Sequence, residues 1–392
     1  MRETLRIGII SMSTYEAPPR TYGGERYVYG IAKVLDGLGH EVYLFAPPGS
    51  WKPPNGKLFY IPHTHGEVSI EAEYFPIQHY LDELLKCDFI IDFSHTKQVS
   101  QYLYFYHREF RDRTILVLNG VSSTSPAIPY NIVVPHVSTM ECIVQGKSQF
   151  ADCEICRYFY PDKIRKWPRE VFVGVIPWAC DSDEFPKEKY LGSEKSIMYM
   201  FSGNPAPHKG FLVVANVVKK LYKIGIKELN FVIHLGGSAK IHDEYRKMYK
   251  PILEVLTNKL GVKVLGDLPR DEYNNIRKQV MCAVLPRHSY EPFDMCTAEF
   301  MMMGIPVITW FMGAPPDIVQ WGRYGLVAKS IDDIVNYIIN KEWEKYNPED
   351  VRKRAEKFDV RNIAPMYIDL LKKIERKGMN NVFINYWEKL NN

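Results

Sequence analysis

The sequence predicts an α/β protein with two doubly wound parallel sheets, and three observations carry this prediction. Short apolar runs typical of buried strands alternate with amphipathic helical patterns along most of the 392 residues. A chain of this length exceeds one ordinary core, so two domains of similar size are expected. A polar segment with two prolines, 177–194, separates two such alternating series and is interpreted as the linker between the domains.

The first half opens as a β-α-β unit. A strand predicted at 5–10 is followed by Gly23 and Gly24 and then by an amphipathic helix, which Gly39 ends before a strand at 42–46. The GxGxxG fingerprint of dinucleotide-dependent oxidoreductases does not follow the first strand, which argues against that class. Further strands are predicted at 89–93, 115–118, 132–134 and 171–176.

The same alternation continues in the second half. Strands are predicted at 197–201, 231–235, 262–265, 282–285 and 306–310, and helices at 211–222, 243–260, 271–279 and 295–303. Ligands of such sheets bind where the carboxyl ends of the strands meet. We therefore expect two domains, 1–177 and 195–363, that face each other across a cleft.

Composition excludes several functional classes. The chain is 46% hydrophobic and 24% charged, as soluble globular proteins are. A formal net charge of +4 is too small to indicate nucleic-acid binding. No apolar run approaches the roughly eighteen residues of a membrane span, and the N-terminus leads directly into a strand rather than a signal peptide, so a cytoplasmic location is expected.

The seven cysteines do not form the pattern of a secreted disulfide framework. Cys153 and Cys156 form one CxxC, and Cys142 and Cys180 are the residues that would complete a structural zinc site. Because a second CxxC is missing, we predict ordinary thiols and no metal. Metal analysis of the purified protein separates the two interpretations.

Two further segments have alternative interpretations. His63 and His65 form an HxH pair that suits a metal, but no carboxylate or cysteine pattern lies nearby, and an ordinary loop is favoured. The aromatic and basic stretch 101–113 suits a membrane surface or a lipid-linked acceptor. The helical spacing of Tyr102, Leu103, Tyr106 and Phe110 instead favours a helix packed on the first sheet.

The stretch YEPFDMCTAEFMMMGIPVIT, 290–309, places two glutamates across the start of a helix. Asp294 is predicted to cap this helix, which Gly304 ends. The free amides of its first turn favour a diphosphate, and Glu299, about one turn further in, suits the hydroxyls of a sugar diol. Glu291 lies in the preceding loop. The segment predicts a nucleotide-sugar site, although the helix dipole alone also favours acidic residues here.

Weaker signals follow other strands. In SGNPAPHKGF, 202–211, Gly203 and Gly210 bracket a tight loop, and Lys209 stands at the mouth of the next helix. A lysine there can neutralise a leaving diphosphate or can simply be solvated. Gly236 and Gly237, after the strand FVIHL, allow close backbone approach by a ligand or merely a turn.

Taken together and in this order, the motifs resemble glycosyltransferase family 4, the retaining enzymes of the GT-B fold. The resemblance is carried by TYGGERYVYGIAKVLDGLGHEVYLFAP (21–47), IPWACDSDEF (176–185), FSGNPAPHKG (201–210), VIHLGG (232–237), VKVLGDLPRDE (262–272) and VLPRHSYEPFDMCTAEFMMMGIPVI (284–308). It implies two Rossmann-like domains, with a C-terminal tail, 364–392, that crosses back onto the first. Long stretches between the motifs, notably 50–170, are divergent.

The resemblance also implies residue roles. Lys209 would bind the donor phosphates, Glu299 the nucleotide ribose, and Glu291 the transferred sugar. His95, after the strand FIIDF, falls where the family has a histidine that contacts the donor sugar, although it also fits a partly buried residue at a strand end. The implied contacts to the nucleotide sugar are Gly23, Gly24, Gly203, Asn204, Lys209, Gly236, Phe293, Asp294, Met295 and Glu299.

Three positions depart from the family pattern. Asn204 stands where an arginine is usual, which removes one permanent positive charge. Asp294 replaces a glycine, and its carboxylate is expected to cap the helix and compete with phosphate for the same amides. Phe93 stands where many members carry another histidine. These departures motivate a second hypothesis, a non-catalytic nucleotide-sugar-binding regulatory or scaffold protein.

The leading expectation is metal-independent transfer of a hexose from a nucleoside diphosphate sugar to an acceptor hydroxyl with retention of configuration. The expected catalytic residues are Glu291, Lys209 and His95. The nucleotide sugar is a substrate, so no cofactor is expected. A third hypothesis is a GT-B sugar-nucleotide epimerase. The acceptor, a carbohydrate or a lipid-linked compound, is expected to bind the first domain, with peripheral membrane contact as a further option.

Overall fold

The computed structural model describes residues 4–19, 23–118, 128–148, 150–151, 163–185, 197–203, 205–227, 230–236, 240–266 and 268–391. The chain divides into two compact units. The first unit comprises Met1–Ser148, Lys163–Asp181 and Phe358–Asn392, and the second comprises Gln149–Asp162 and Ser182–Lys357.

The first unit contains a parallel sheet. Its strands are β1 (Arg6–Ile10), β2 (Glu41–Ala46), β3 (Lys57–Tyr60), β4 (Phe89–Asp92), β5 (Thr114–Val117), β6 (Ile132–Val134), β7 (Phe172–Val175) and β14 (Ile384–Asn385). They lie in the order β14-β7-β6-β5-β4-β1-β2-β3, and neighbouring strands are parallel. The chain order reverses between β1 and β4, and ligands of doubly wound sheets bind at such a switch point.

Helices cover this sheet, and the C-terminal residues supply two of them. The helices are α1 (Gly23–Gly37), α2 (Ile70–Leu84), α3 (Gln98–Tyr106), α4 (Val137–Gln145), α12 (Val360–Lys377) and α13 (Tyr386–Asn391). A Cβ atom on Gly30 of α1 would lie 2.6 Å from Cγ1 of Val360, so glycine permits the close approach of α1 and α12. The buried hydroxyls of Tyr27 and Tyr367 hydrogen-bond at 2.7 Å and fix the same pair of helices.

The helix expected across 101–113 is shorter than predicted. Helix α3 ends at Tyr106 because His107 has a non-helical backbone, and Phe110 follows in a short 3-10 turn. Leu103 and Phe110 enter the core between α2, α3 and the sheet, as their spacing predicts. The side chain of Tyr106 is 71% exposed, so the prediction that it belongs to the buried face is wrong.

The second unit repeats the architecture. Its strands are β8 (Ile197–Gly203), β9 (Asn230–Leu235), β10 (Lys263–Leu265), β11 (Val280–Leu285), β12 (Val307–Trp310) and β13 (Leu326–Ala328). Its helices are α5 (Phe211–Lys223), α6 (Lys240–Asn258), α7 (Arg270–Arg277), α8 (Met295–Met302), α9 (Pro315–Ile318), α10 (Ile331–Ile339) and α11 (Pro348–Glu356). The parallel strands lie in the order β10-β9-β8-β11-β12-β13, so the switch point falls between β8 and β11.

The second core forms where amphipathic helices meet this sheet. Phe211, Val214, Val218 and Leu221 recur at helical spacing on α5 and are fully buried against it. Among the residues with described positions, no helix combines the length and the apolar character that crossing a membrane requires.

Candidate functional site

The two loops that flank the switch point of the second unit are bonded to each other. The loop after β8 carries His208, whose carbonyl accepts a hydrogen bond of 2.7 Å from the backbone N–H of His288 in the loop after β11. Gly210 has a φ of +88°, and a Cβ atom there would lie 1.9 Å from the carbonyl oxygen of Pro286. Glycine at this position therefore allows the two loops to touch.

Lys209 and Glu291 meet at this junction. Lys209 Nζ donates to Glu291 Oε1 at 2.8 Å, and Ser289 Oγ donates to the same oxygen at 3.5 Å. Glu291 is buried, whereas 23% of the Lys209 side chain is exposed. His208 Nε2 lies 3.9 Å from the same carboxylate oxygen. A cation and an anion thus lie side by side at the carboxyl edge of the sheet.

Asp294 precedes α8 at the N-cap position, but its carboxylate does not cap the helix. It accepts from Arg287 Nε at 3.0 Å and Nη2 at 3.1 Å, and from Thr297 Oγ1 at 2.8 Å. The expectation that Asp294 occupies the helix amides in competition with phosphate is therefore wrong. The reason is that Arg287 is fully buried and needs a counter-ion, and the two-pronged pairing of a guanidinium with a carboxylate is stronger than a cap.

Phe293 and Met295 flank this position. Phe293 is buried, and Met295 begins α8 and is half-buried. A helix leaves the N–H groups of its first turn without acceptors inside the helix, and its dipole is positive at that end. The start of α8 thus offers donors to an anion beside the pair of Lys209 and Glu291.

Glu299 is held by two arginines. Its Oε1 accepts from Nη1 and Nη2 of Arg270, both at 3.2 Å, and its Oε2 accepts from Nη2 of the completely buried Arg277. Burial alone would raise the pKa of Glu299, but the two guanidinium charges outweigh it and lower the pKa to about 2. Glu299 is therefore ionised at neutral pH and acts only as a hydrogen-bond acceptor.

The sequence interpretation missed both arginines. Arg277 lies one helical turn after Tyr273, and both are buried on the inner face of α7. An arginine on the buried face of an amphipathic helix requires an acidic partner, and this signal was available in the sequence. Arg270 also donates to Glu184 Oε2 at 3.1 Å, and its guanidinium lies 5.0 Å from the ring centre of Phe185. Arg270 thus bonds both Glu184, near the start of the second unit, and Glu299 of α8.

The predicted glycines of the second unit lie at the same edge. Gly203 ends β8 in register with Leu235 of β9, and Gly236 follows directly. The structure thus brings Gly203, Gly236, Lys209 and the start of α8 to the carboxyl edge of one sheet. Asn204 and the neighbouring Gly237 lie outside the described residues.

The predicted residues of the first unit lie at its own switch point. Gly23 and Gly24 begin α1, which follows β1, and His95 follows the adjacent strand β4. Glu25, the next residue of α1, is buried and accepts a hydrogen bond from Thr14 Oγ1. Burial raises the pKa of Glu25, although the bond from Thr14 and the neighbouring His95 act in the opposite direction.

His95 has a buried partner that the sequence interpretation did not identify. Glu73 of α2 has no exposed surface, and its Oε1 lies 3.2 Å from His95 Nδ1. Burial alone would raise the pKa of Glu73. The hydrogen bond from the His95 ring, the charge of that ring, and the bonds from the backbone N–H groups of His95 and Thr96 together lower the pKa. Glu73 is thus an ionised carboxylate that orients a predicted site residue.

The four cysteines of the zinc-site hypothesis lie in different parts of the chain. Cys142 and Cys180 are buried in the first unit, and Cys153 and Cys156 lie outside the described residues. Within the described ranges, no group of three or more His, Cys, Asp or Glu side chains is placed to hold a metal ion.

The chain is similar to known glycosyltransferases. Residues 182–358 match the family model Glycosyl transferases group 1. The chain is 25% identical over 400 residues to an uncharacterized glycosyltransferase of Methanocaldococcus jannaschii, an alignment that covers 88% of this chain and 96% of that protein. A probable sucrose-phosphate synthase of Thermosipho melanesiensis is 29% identical over 220 residues, 54% of this chain and 48% of that protein.

Solved structures share the fold at low identity. The sucrose-phosphate synthase of Thermosynechococcus elongatus superimposes with a TM-score of 0.68 at 13% identity and covers 94% of this chain and 99% of its own. Anabaena HepE in complex with UDP and glucose has a TM-score of 0.67 at 13% identity, and the alignment covers 94% of this chain and 100% of HepE. AviGT4, a glycosyltransferase of avilamycin A biosynthesis, has a TM-score of 0.64 at 18% identity, and the alignment covers 96% of this chain and 99% of AviGT4. The GT-B fold predicted from the motifs is confirmed.

Proposed function

We propose that the protein is a retaining glycosyltransferase that moves a sugar from a nucleoside diphosphate sugar to an acceptor hydroxyl without a metal. One observation carries the proposal: Lys209 and Glu291 pair at 2.8 Å beside the start of α8, at the switch point of a Glycosyl transferases group 1 domain. The complexes of Anabaena HepE with UDP and with UDP-glucose support a nucleotide sugar as donor.

The chemistry requires positive charge on one side of the breaking bond and negative charge on the other. Breaking the anomeric bond develops negative charge on the diphosphate and positive charge on the sugar ring. Lys209 and the first amides of α8 would stabilise the diphosphate, because preorganised cations and dipoles stabilise a transition state without rearranging. Glu291, held beside Lys209, would accept hydrogen bonds from the sugar hydroxyls and favour positive charge on the ring.

Glu299 would bind the nucleotide ribose. Its carboxylate is ionised because Arg270 and Arg277 face it, so it accepts hydrogen bonds from a diol and donates none. Recognition of a ribose by this carboxylate therefore does not depend on pH above about 4. In the first unit, His95 would contact the sugar, and Gly23 and Gly24 would allow the backbone to approach the phosphates.

A panel of UDP-, GDP- and ADP-sugars, assayed for release of nucleoside diphosphate with and without sugar acceptors, tests the proposal. We expect turnover with one donor, and Lys209→Ala lowers it about a hundredfold or more because one electrostatic contact to the transition state is lost. Lys220→Ala is the matched control, since Lys220 is an exposed lysine of α5 that pairs with Asp332. Equal turnover in the two variants would remove Lys209 from the mechanism.

The main alternative is a non-catalytic protein that binds nucleotide sugars. The feature that favours it is Asn204, which stands where the resembling family usually has an arginine and so leaves one positive charge fewer for a diphosphate. Binding of a nucleotide sugar without release across the whole panel would support this alternative. Conversion of one nucleotide sugar to another without an acceptor would instead indicate an epimerase.

A further inference from the structure

The loop that carries His95 is fixed by a buried lysine. Lys97 has a φ of 57° and is 1% exposed, and a left-handed backbone at a bulky residue persists only where its surroundings hold it. Its ammonium donates to the carbonyls of Asp92 at 3.0 Å, Val117 at 2.7 Å and Ser94. All three N–H groups of the ammonium are therefore used, and they join the loop after β4 to the end of β5.

Glu73 approaches the same loop from α2 and uses both carboxylate oxygens on two residues. Oε1 accepts from the backbone N–H of His95 at 2.9 Å and lies 3.2 Å from His95 Nδ1. Oε2 accepts from the backbone N–H of Thr96 at 2.6 Å and from Thr96 Oγ1 at 2.7 Å. The four contacts fill the acceptor positions of a carboxylate, which explains how a glutamate with no exposed surface is tolerated.

This contact decides which ring nitrogen of His95 carries the proton. An ionised carboxylate only accepts hydrogen bonds, so Nδ1 must be protonated to bond Oε1 of Glu73. In the neutral ring, Nε2 then holds a free lone pair. No described residue bonds Nε2, and 24% of the His95 side chain is exposed. The other charged groups that interact here are Glu25 of α1, which acts on His95, and Lys97, which acts on Glu73.

We propose that Glu73 is a positioning residue that fixes His95 in the Nδ1-protonated form and turns Nε2 outward to accept a hydroxyl hydrogen of the carbohydrate. The inference rests on the proposed function, because it gives a carbohydrate-facing role to His95. It adds to that function a defined tautomer and a residue from α2, which the family motifs do not include.

The wild-type protein itself gives the first test. The full chain is labelled with 15N-histidine, His95 is assigned by comparison with His95→Gln, and long-range 1H–15N spectra are recorded at pH 8 without ligand. We expect a proton on Nδ1 and a bare Nε2. A proton on Nε2 in the wild-type protein overturns the proposal without any further variant.

Two variants then separate positioning from loop stability. Glu73→Ala should move the His95 proton to Nε2, the form that free imidazole side chains favour, and lower turnover about tenfold or more, while donor affinity changes less than about threefold. Thr96→Val is the matched control, because it removes a bond to the same carboxylate but leaves the contact with Nδ1, and it should keep the wild-type tautomer. An unchanged tautomer in Glu73→Ala overturns the proposal.

The outcomes also distinguish this inference from the proposed glycosyltransferase activity on which it rests. A proton on Nδ1 in a protein that turns over no nucleotide sugar supports the positioning by Glu73 and refutes the transferase activity. Turnover of a nucleotide sugar by a protein whose His95 carries its proton on Nε2 supports the activity and refutes the positioning.

Discussion

Replacing Glu299 by glutamine removes the anion that Arg270 and Arg277 share, and the structure gives a magnitude for the effect. The pKa of Glu299 falls from 4.5 to about 2 in the folded protein. Each pKa unit corresponds to about 1.4 kcal/mol, so the ionised carboxylate stabilises the fold by about 3 kcal/mol. A loss of this size also agrees with the cost of about 3–5 kcal/mol for leaving one partner of a buried ion pair alone.

Thermal unfolding measures this loss. For a unit of this size, 1 kcal/mol shifts the melting temperature by about 2–4 °C, so Glu299→Gln should melt about 6–12 °C lower at pH 7. The matched control is Glu349→Gln, since the Glu349 side chain is 57% exposed and pairs with an exposed lysine, and its melting temperature should change by less than about 2 °C.

The dependence on pH supplies a second test. Because the folded pKa lies below the unfolded value, the stabilisation is complete above about pH 4.5 and is lost as the pH falls towards 2. The difference in melting temperature between wild type and Glu299→Gln should narrow over that window. Equal melting of the Glu299 and Glu349 variants at pH 7, or a difference that stays constant down to pH 2.5, would refute the reasoning.

Three further substitutions have defined outcomes. Gly210→Ala should destabilise the second unit by at least about 2 kcal/mol more than Gly225→Ala in calorimetry, because both glycines have positive φ but only Gly210 abuts a carbonyl, that of Pro286. Lys97→Met should lower stability by about 3 kcal/mol in the same measurement, since three buried carbonyls lose their donor. Glu291→Gln should lower turnover about a hundredfold while nucleotide binding by calorimetric titration persists, because only a negative charge is removed.

Elements around the candidate site of the second unit were predictable from local patterns. Helix α8 was predicted at 295–303 and spans Met295–Met302, and β11 and β12 lie within two residues of their predicted limits. These elements are strongly apolar or end at a glycine, so neighbouring residues alone define them. The same local patterns placed Lys209 and Glu291 at the ends of adjacent strands.

Charge pairing was not predictable from local rules. Asp294 is at the N-cap position of α8, where a capping side chain is favoured. Its carboxylate pairs instead with Arg287, because a buried guanidinium requires a counter-ion. Helix α2 was not predicted, since Pro76 lies inside it and its backbone is kinked at Tyr80. Because the helix was not predicted, Glu73 was not identified either. Its burial depends on hydrogen-bond donors of His95 and Thr96, which lie more than twenty residues further along the chain.

The return of α12 and β14 to the first unit has a consequence for biosynthesis. A ribosome that has completed β7 must still translate 182–357 before α12 emerges, which takes roughly 10–35 s at about 5–20 residues per second. During that interval the face of α1 around Tyr27 and Gly30 is open to solvent, and the β7 edge lacks its last neighbour. The second unit can therefore finish folding before the first unit is complete. Until α12 and β14 are added, the N-terminal half of the nascent chain exposes apolar surface and an unpaired strand edge, which are features that chaperones bind.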